Sequence, residues 1–169
     1  MSEFYIREVI KEVAMYKKIL SPVDGSELAE CSLEHVREIA TGCHVPEVVL
    51  LMVIEPFPPT PGFSEEWRLK LEKDAEAEAE GYLTKLADRL NLGSEDITVQ
   101  TVVVHGRPAG NILKYASGSK VDLIIMSTHG ESGVLHWVFG SVAEKVLSHS
   151  PVPVLIVSPP ARTTGQRHS

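Results

Sequence analysis

Val121-Asp122-Leu123-Ile124-Ile125-Met126-Ser127-Thr128-His129-Gly130 leads, after nine residues, into Gly140-Ser141-Val142-Ala143-Glu144-Lys145-Val146. An apolar run of strand length ends in small polar residues and a glycine, and a second glycine followed by serine then opens a helical pattern. Glycines at these two places let a ligand approach the main chain without a Cβ in the way. The first N–H groups of a helix opening at Ser141 would point outward, with the positive end of the helix dipole behind them. The stretch is therefore a candidate anion cradle. The plainer reading makes Gly130 a turn closure and Ser141 an N-cap.

Upstream of this stretch the same strand-to-helix alternation repeats. Tyr16 to Ser21 reads as a first strand stopped by Pro22, and Val23-Asp24-Gly25-Ser26 as a tight turn. From Ser26, the apolar positions Ala29, Leu33, Val36 and Ala40 step along one face of a helix that ends at Gly42. Asp24 has two readings: a capping-box partner of Glu27, or a carboxylate offered to a ligand over the strand end. Val48 to Ile54 is continuously apolar, as a central parallel strand covered on both faces must be. The proline-rich Glu55 to Gly62 excludes regular structure. A long helix is expected from about Ser64 to Asn91, with Trp67, Leu71, Ala75, Ala79, Tyr82, Leu86 and Leu90 on its apolar stripe and an acidic, solvated opposite face.

Ile97 to Val104 reads as a third strand, followed by His105-Gly106-Arg107-Pro108 with the proline at a helix start. After the cradle and the helix from Ser141 to His149 comes Val152 to Val157, a strand that Pro153 pushes toward a sheet edge. Five strands alternating with four helices give an α/β fold with a five-stranded, mostly parallel sheet and helices on both faces. Ligands in such sheets lie at the carboxyl ends of the strands, where Asp24, Gly106 and Gly130 converge. The domain is expected over residues 15–158, preceded by a helical extension (1–14) and followed by a disordered tail (159–169).

The bulk numbers narrow the function classes. The chain has 169 residues, 43% of them hydrophobic and 23% charged, with a formal net charge of −7. That acidic balance, with scattered lysines and arginines, argues against a nucleic-acid partner. Cys31 and Cys43 have neither metal-site spacing nor the density of a disulfide scaffold, which suits a reducing compartment. No apolar run is long enough to span a bilayer, and a cytoplasmic location is expected. Neither a GxxxxGK[ST] loop nor a GxGxxG fingerprint is present.

The residues from Met15 to Val157 resemble the universal stress protein family, specifically its ATP-binding branch, which is Rossmann-like and akin to the adenine nucleotide alpha hydrolases. The resemblance rests on Lys17 to Ser26, Gly106-Arg107-Pro108, Asp122 to Val146 and Pro151 to Val157. The family's motif G-x2-G-x9-G-[S/T] aligns with Ser127-Thr128-His129-Gly130, nine residues, then Gly140-Ser141. The resemblance implies a regulatory ATP-binding module acting in stress response. Its site would be drawn from Pro22, Val23, Asp24, Val53, Gly106, Met126, Ser127, His129, Gly130, Gly140, Ser141 and Val142. Asp24 would contact the adenosine moiety, Val53 the base, and Gly130, Gly140, Ser141 and Val142 the phosphates, with Mg²⁺ or Mn²⁺ held mainly by phosphate oxygens. A homodimer through Val152 to Val157 is implied as well.

Two residues depart from the family's pattern. Ser127 stands where the motif has its first glycine, and Glu131 brings a carboxylate near the phosphates. These departures keep open a family member that binds no nucleotide and acts as a dimeric interaction protein. A slow ATP hydrolase is a further alternative, although no general base is positioned beyond Asp24 and His129. His105 and His129 read as turn or packing residues rather than metal ligands.

Overall fold

The computed structural model describes residues 15–59, 61, 62, 64–90, 97–128 and 139–158. The expected N-terminal extension and C-terminal tail lie outside the described residues, as do His129, Gly130 and Glu131. Five strands, β1 (Lys18–Val23), β2 (Glu47–Ile54), β3 (Thr98–His105), β4 (Leu123–Ser127) and β5 (Val154–Val157), form one sheet in the order β3-β2-β1-β4-β5. All four neighbouring pairs are parallel. The helices are α1 (Glu27–Glu30), α2 (Leu33–Gly42), α3 (Glu65–Leu90), α4 (Pro108–Gly118) and α5 (Ser141–His149).

Successive side chains of a strand face opposite sides, so continuously apolar strands need a core on each face. Ile19, Val48, Leu50, Leu123 and Ile125 pack with Val36 of α2 and Leu83, Leu86 and Leu90 of α3. On the other face Leu20, Val49, Leu51, Ile124 and Met126 pack with Ile112 of α4 and Ala143 and Val146 of α5. The Asp122 carboxylate fastens the opposite, amino end of the sheet by accepting from the Lys17 and Lys18 N–H groups at 2.7 and 2.9 Å.

Three sequence expectations change. Strand β1 is not stopped by Pro22 but runs through it to Val23. Lys18 accepts a hydrogen bond from the Asp122 N–H at 2.9 Å, so the peptide groups of Lys18, Leu20 and Pro22 face β4. Pro22 has no N–H to give there. The pairing of β1 with β4 accordingly covers only Ile19↔Leu123 and Leu20↔Ile124, whereas that with β2 continues to Val23↔Met52. Proline does not end the strand; it ends one of the strand's two ladders.

The helix expected from Ser26 to Gly42 is two helices. Ser32 Oγ donates to the Ala29 carbonyl at 2.9 Å, and the Ser32 N–H reaches the same oxygen at 3.4 Å. A serine bonding back to that carbonyl tightens the turn and breaks the regular ladder. In α3 the apolar stripe is buried only in its second half, at Ala79, Leu83, Leu86 and Leu90. Trp67, expected on the buried stripe, is 43% exposed. In the first half of the helix Leu71 and Ala75 are only half-buried and Leu69 is exposed.

Candidate functional site

Beyond Leu20 strands β1 and β4 part, and this is the point where strand order reverses on either side of β1. A cleft of about 480 Å³ opens there at the carboxyl ends of the strands. Its walls come from Pro22, Val23 and Asp24 at the end of β1, Leu51, Val53 and Glu55 on β2 and beyond, and Met126, Ser127 and Thr128 at the end of β4. Ala29 of α1, Pro108 and Ile112 of α4, and Gly140 to Ala143 complete them.

The β1–α1 turn settles how Asp24 is held. Its Oδ1 accepts from the Ser26 N–H at 3.0 Å and the Ser26 hydroxyl at 2.6 Å. Ser26 is the N-cap of α1, its hydroxyl accepting from the Ala29 N–H at 3.1 Å. The capping-box reading of Asp24 is thus replaced: serine caps the helix, and the aspartate orients the serine while lining the cleft. Behind this wall Glu30 accepts from the Tyr82 hydroxyl at 2.9 Å and pairs with Arg89, tying α1 to α3. Burial, and then the hydrogen bond to Glu30, raises the Tyr82 phenol above its ordinary value.

The β4–α5 junction carries the anion-binding chemistry. Thr128 donates its N–H to Val157 O at 2.9 Å, and its carbonyl accepts the Gly140 N–H at 2.9 Å. Those bonds pin the start of α5 against the end of β4, whatever course residues 129–138 take between. Gly140, rather than Ser141, is the N-cap, with an ordinary φ of −57°, and as a glycine it brings no side chain to cap this helix end. The leading N–H groups of α5 therefore lack intrahelical acceptors where Ser141, Val142 and Ala143 line the cleft. What Gly140 provides is room, since a Cβ there would stand 3.1 Å from Thr128 O.

Nine of the sequence-derived candidates line the cleft: Pro22, Val23, Asp24, Val53, Met126, Ser127, Gly140, Ser141 and Val142. Gly106 does not. Its φ of +130° closes the β3–α4 turn, its N–H donates to Ile54 O at 2.9 Å, and Asn111 covers the space a Cβ would take. His129 and Gly130 are outside the described residues. His105 lies 3.7 Å from Glu76, at the outer edge of the sheet. Ser127 is buried, and the Cys31 thiol approaches its hydroxyl at 3.6 Å.

Ala143, whose N–H belongs to the expected cradle at the start of the helix, lines the cleft too, whereas sequence reasoning missed Ala29, Leu51, Glu55, Pro108, Ile112 and Thr128. Glu55 had a legible signal, being the first polar residue beyond the apolar β2 run, at the strand end where ligands collect. Leu51 and Ile112 had none, because their pattern is that of core residues.

A model of the universal stress protein family matches residues 15–158. The chain belongs to that family. Universal stress protein MJ0577 of Methanocaldococcus jannaschii is 35% identical over 159 residues, covering 85% of this chain and 95% of its own. Its solved structure superimposes with a TM-score of 0.73, over 86% and 98% of the two chains. A universal stress protein crystallised in complex with cAMP (23% identical, TM-score 0.64, 85% and 97% covered) has the same fold. So has an Arabidopsis thaliana family member with AMP bound (16%, TM-score 0.62, 89% and 97% covered). Among the described residues of this universal stress protein, no helix is long and apolar enough to cross a membrane.

Proposed function

We propose that this universal stress protein is a regulatory module that binds ATP in the cleft between β1 and β4. The observation that carries the reading is the joining, in one cleft, of apolar walls with the start of α5. Val53, Leu51 and Met126 offer apolar contact to a base, and Asp24 offers an acceptor to the nucleoside. The N–H groups of Ser141 and Val142 seat a phosphate. That two family members have been crystallised with cAMP and AMP supports a ligand of this class. Among the described residues no three His, Cys, Asp or Glu gather as a metal site. A divalent ion, Mg²⁺ or Mn²⁺, would enter with the phosphates, and Asp24 and Glu55 are carboxylate oxygen donors in the cleft wall.

Calorimetric titration of the purified chain with Mg-ATP and Mg-GTP tests the reading. Saturable heat with the adenine nucleotide, and weaker heat with guanine, is the expected result. No heat with any adenine nucleotide would return the field to a purely interacting family member.

The β5 edge favours a second element of the proposal, a homodimer through Val152 to Val157. Pro153 O and Val157 O accept from β4, so the peptide groups of Val154 and Ile156 face the open edge. Half-buried Val154, Leu155 and Ile156 present an apolar strand there, and an uncovered edge of that kind invites pairing. Light scattering should give twice the chain mass at micromolar concentration, and Ile156→Pro, which removes an outward N–H, should give the monomer. A wild-type monomer at all concentrations would refute the dimer.

A further inference from the structure

Helix α3 packs Ala79, Leu83, Leu86 and Leu90 inward over β2 and β3 and turns its opposite face to solvent. An α-helix rotates by about 100° per residue, so steps of three and four stay on one face. On the outer face those steps give Lys70, Asp74, Ala77, Gly81, Lys85 and Asp88, all exposed. Their order is positive, negative, small, small, positive, negative. Read from the other end it is negative, positive, small, small, negative, positive. Lys70 matches Asp88, Asp74 matches Lys85 and Ala77 matches Gly81, each match centred near residue 79. The face is therefore complementary in charge to an antiparallel copy of itself.

The fold itself makes little use of these residues. Among the described residues Lys70, Asp74, Lys85 and Asp88 make no ion pair, whereas Arg68 is held by Glu65 and Glu72, and Arg89 by Glu30. Gly81 stands inside a 26-residue helix, where glycine is a poor helix former. A Cβ there would meet nothing within 4 Å, so packing within the chain does not call for it.

We propose that the outer face of α3 is a self-association surface whose partner is a second copy of this chain, the two helices antiparallel about a two-fold axis at Ala77 and Gly81. These small residues let the helix axes approach to about 8 Å, the close end of the usual range. Lys70 then faces the partner's Asp88, and Asp74 the partner's Lys85, each contact made twice by symmetry. Trp67, one further step along the same face and 43% exposed, adds apolar cover at each end. Glu78 lies on the rim beside the axis, where its like charge in the two copies opposes the pairing and limits its strength. A single helix pair buries less than the about 1,200 Å² of a standard interface, so the surface acts at high local concentration. It does not compete with β5 for the same ground, because α3 covers β2 and β3 while β5 is the far edge of the sheet. Two self-complementary surfaces on one chain build assemblies beyond the dimer.

Sedimentation equilibrium of the full chain at high micromolar concentration tests the proposal. Physiological salt is used, so that repulsion between chains of net charge −7 is screened beyond about 8 Å. Lys70→Glu sets like charges against each other in two of the four contacts and should weaken association about tenfold or more, halving the mass. Lys70→Glu combined with Asp88→Lys restores both contacts with their signs exchanged and should restore the mass. Gly81→Gln puts a long side chain between the helices and should also halve the mass. Its unfolding midpoint in dilute solution should hold or rise, since glutamine suits a helix better than glycine. Equal masses for wild type and Lys70→Glu, or a double exchange no heavier than the single one, overturns the proposal. The β5 dimer is read separately from the same data: the mass falls from four chains to two where β5 pairs, and from two to one where it does not.

Discussion

The junctions after β3 and β4 both place a glycine between a strand and the start of a helix, and they use it for opposite purposes. Gly106 has a φ of +130°, and a Cβ there would lie 2.6 Å from Asn111 Nδ2. It is a hinge of the backbone, bonded inward to Ile54, and it stands off the cleft. Gly140 has a φ that any residue adopts and lies on the cleft wall, where its missing side chain leaves room beside Thr128 O. One glycine is required by conformation, the other by space. Sequence context alone made them look alike.

That contrast breaks if the two substitutions behave alike. The largest effect expected is on stability at Gly106: Gly106→Ala should cost about 1–3 kcal/mol, because it forces a side chain into a positive-φ conformation and against Asn111. Chemical denaturation measures it, and Asn111→Ala in the same chain should recover only part of the loss, since φ stays positive. Nucleotide affinity should be nearly untouched. Gly140→Val should do the reverse, weakening nucleotide binding about tenfold, or roughly 1.4 kcal/mol, with a smaller change in unfolding free energy. Equal stability losses at both sites, with unchanged binding at both, would erase the distinction.

The smallest effect sharpens the comparison by moving behind the wall. Tyr82→Phe removes the hydroxyl that Glu30 accepts and should cost about 1 kcal/mol without altering nucleotide affinity. Because the folded chain raises the phenol above its ordinary 10.0, Tyr82's contribution is whole below that pH and fades as pH climbs beyond it. Denaturation of wild type and Tyr82→Phe above pH 10 should therefore converge. A difference that grows with pH would refute the assigned shift.

Much of the architecture was legible before any coordinates. Continuous apolar runs at Val48 to Ile54 and Leu123 to Met126 required a sheet covered on both faces, and the structure has one. The β4-to-α5 stretch announced its strand and its helix. Less legible were local competitions among bonds. Ser32's hydroxyl splitting one expected helix into two, and Ser26 rather than Asp24 capping α1, depend on which of several nearby acceptors wins. The Trp67 stripe failed for a different reason: helical period says which face is apolar, but not how far along the helix a sheet extends to cover it.

By itself, then, the sequence determined the alternation of strand and helix, the doubly covered sheet and the family, because periodicity and apolar run length act locally and leave their mark residue by residue. Tertiary structure alone decided which further residues close the cleft at the strand ends. Pro22 withholds an N–H from β4 only because strand order puts β4 beside it, and the strands part there. Glu55, Leu51 and Ile112 join Asp24 and Ser141 in one cleft only because a parallel sheet brings its carboxyl ends together. Contacts between residues so far apart in the chain have no period to read. They exist once the layers are stacked.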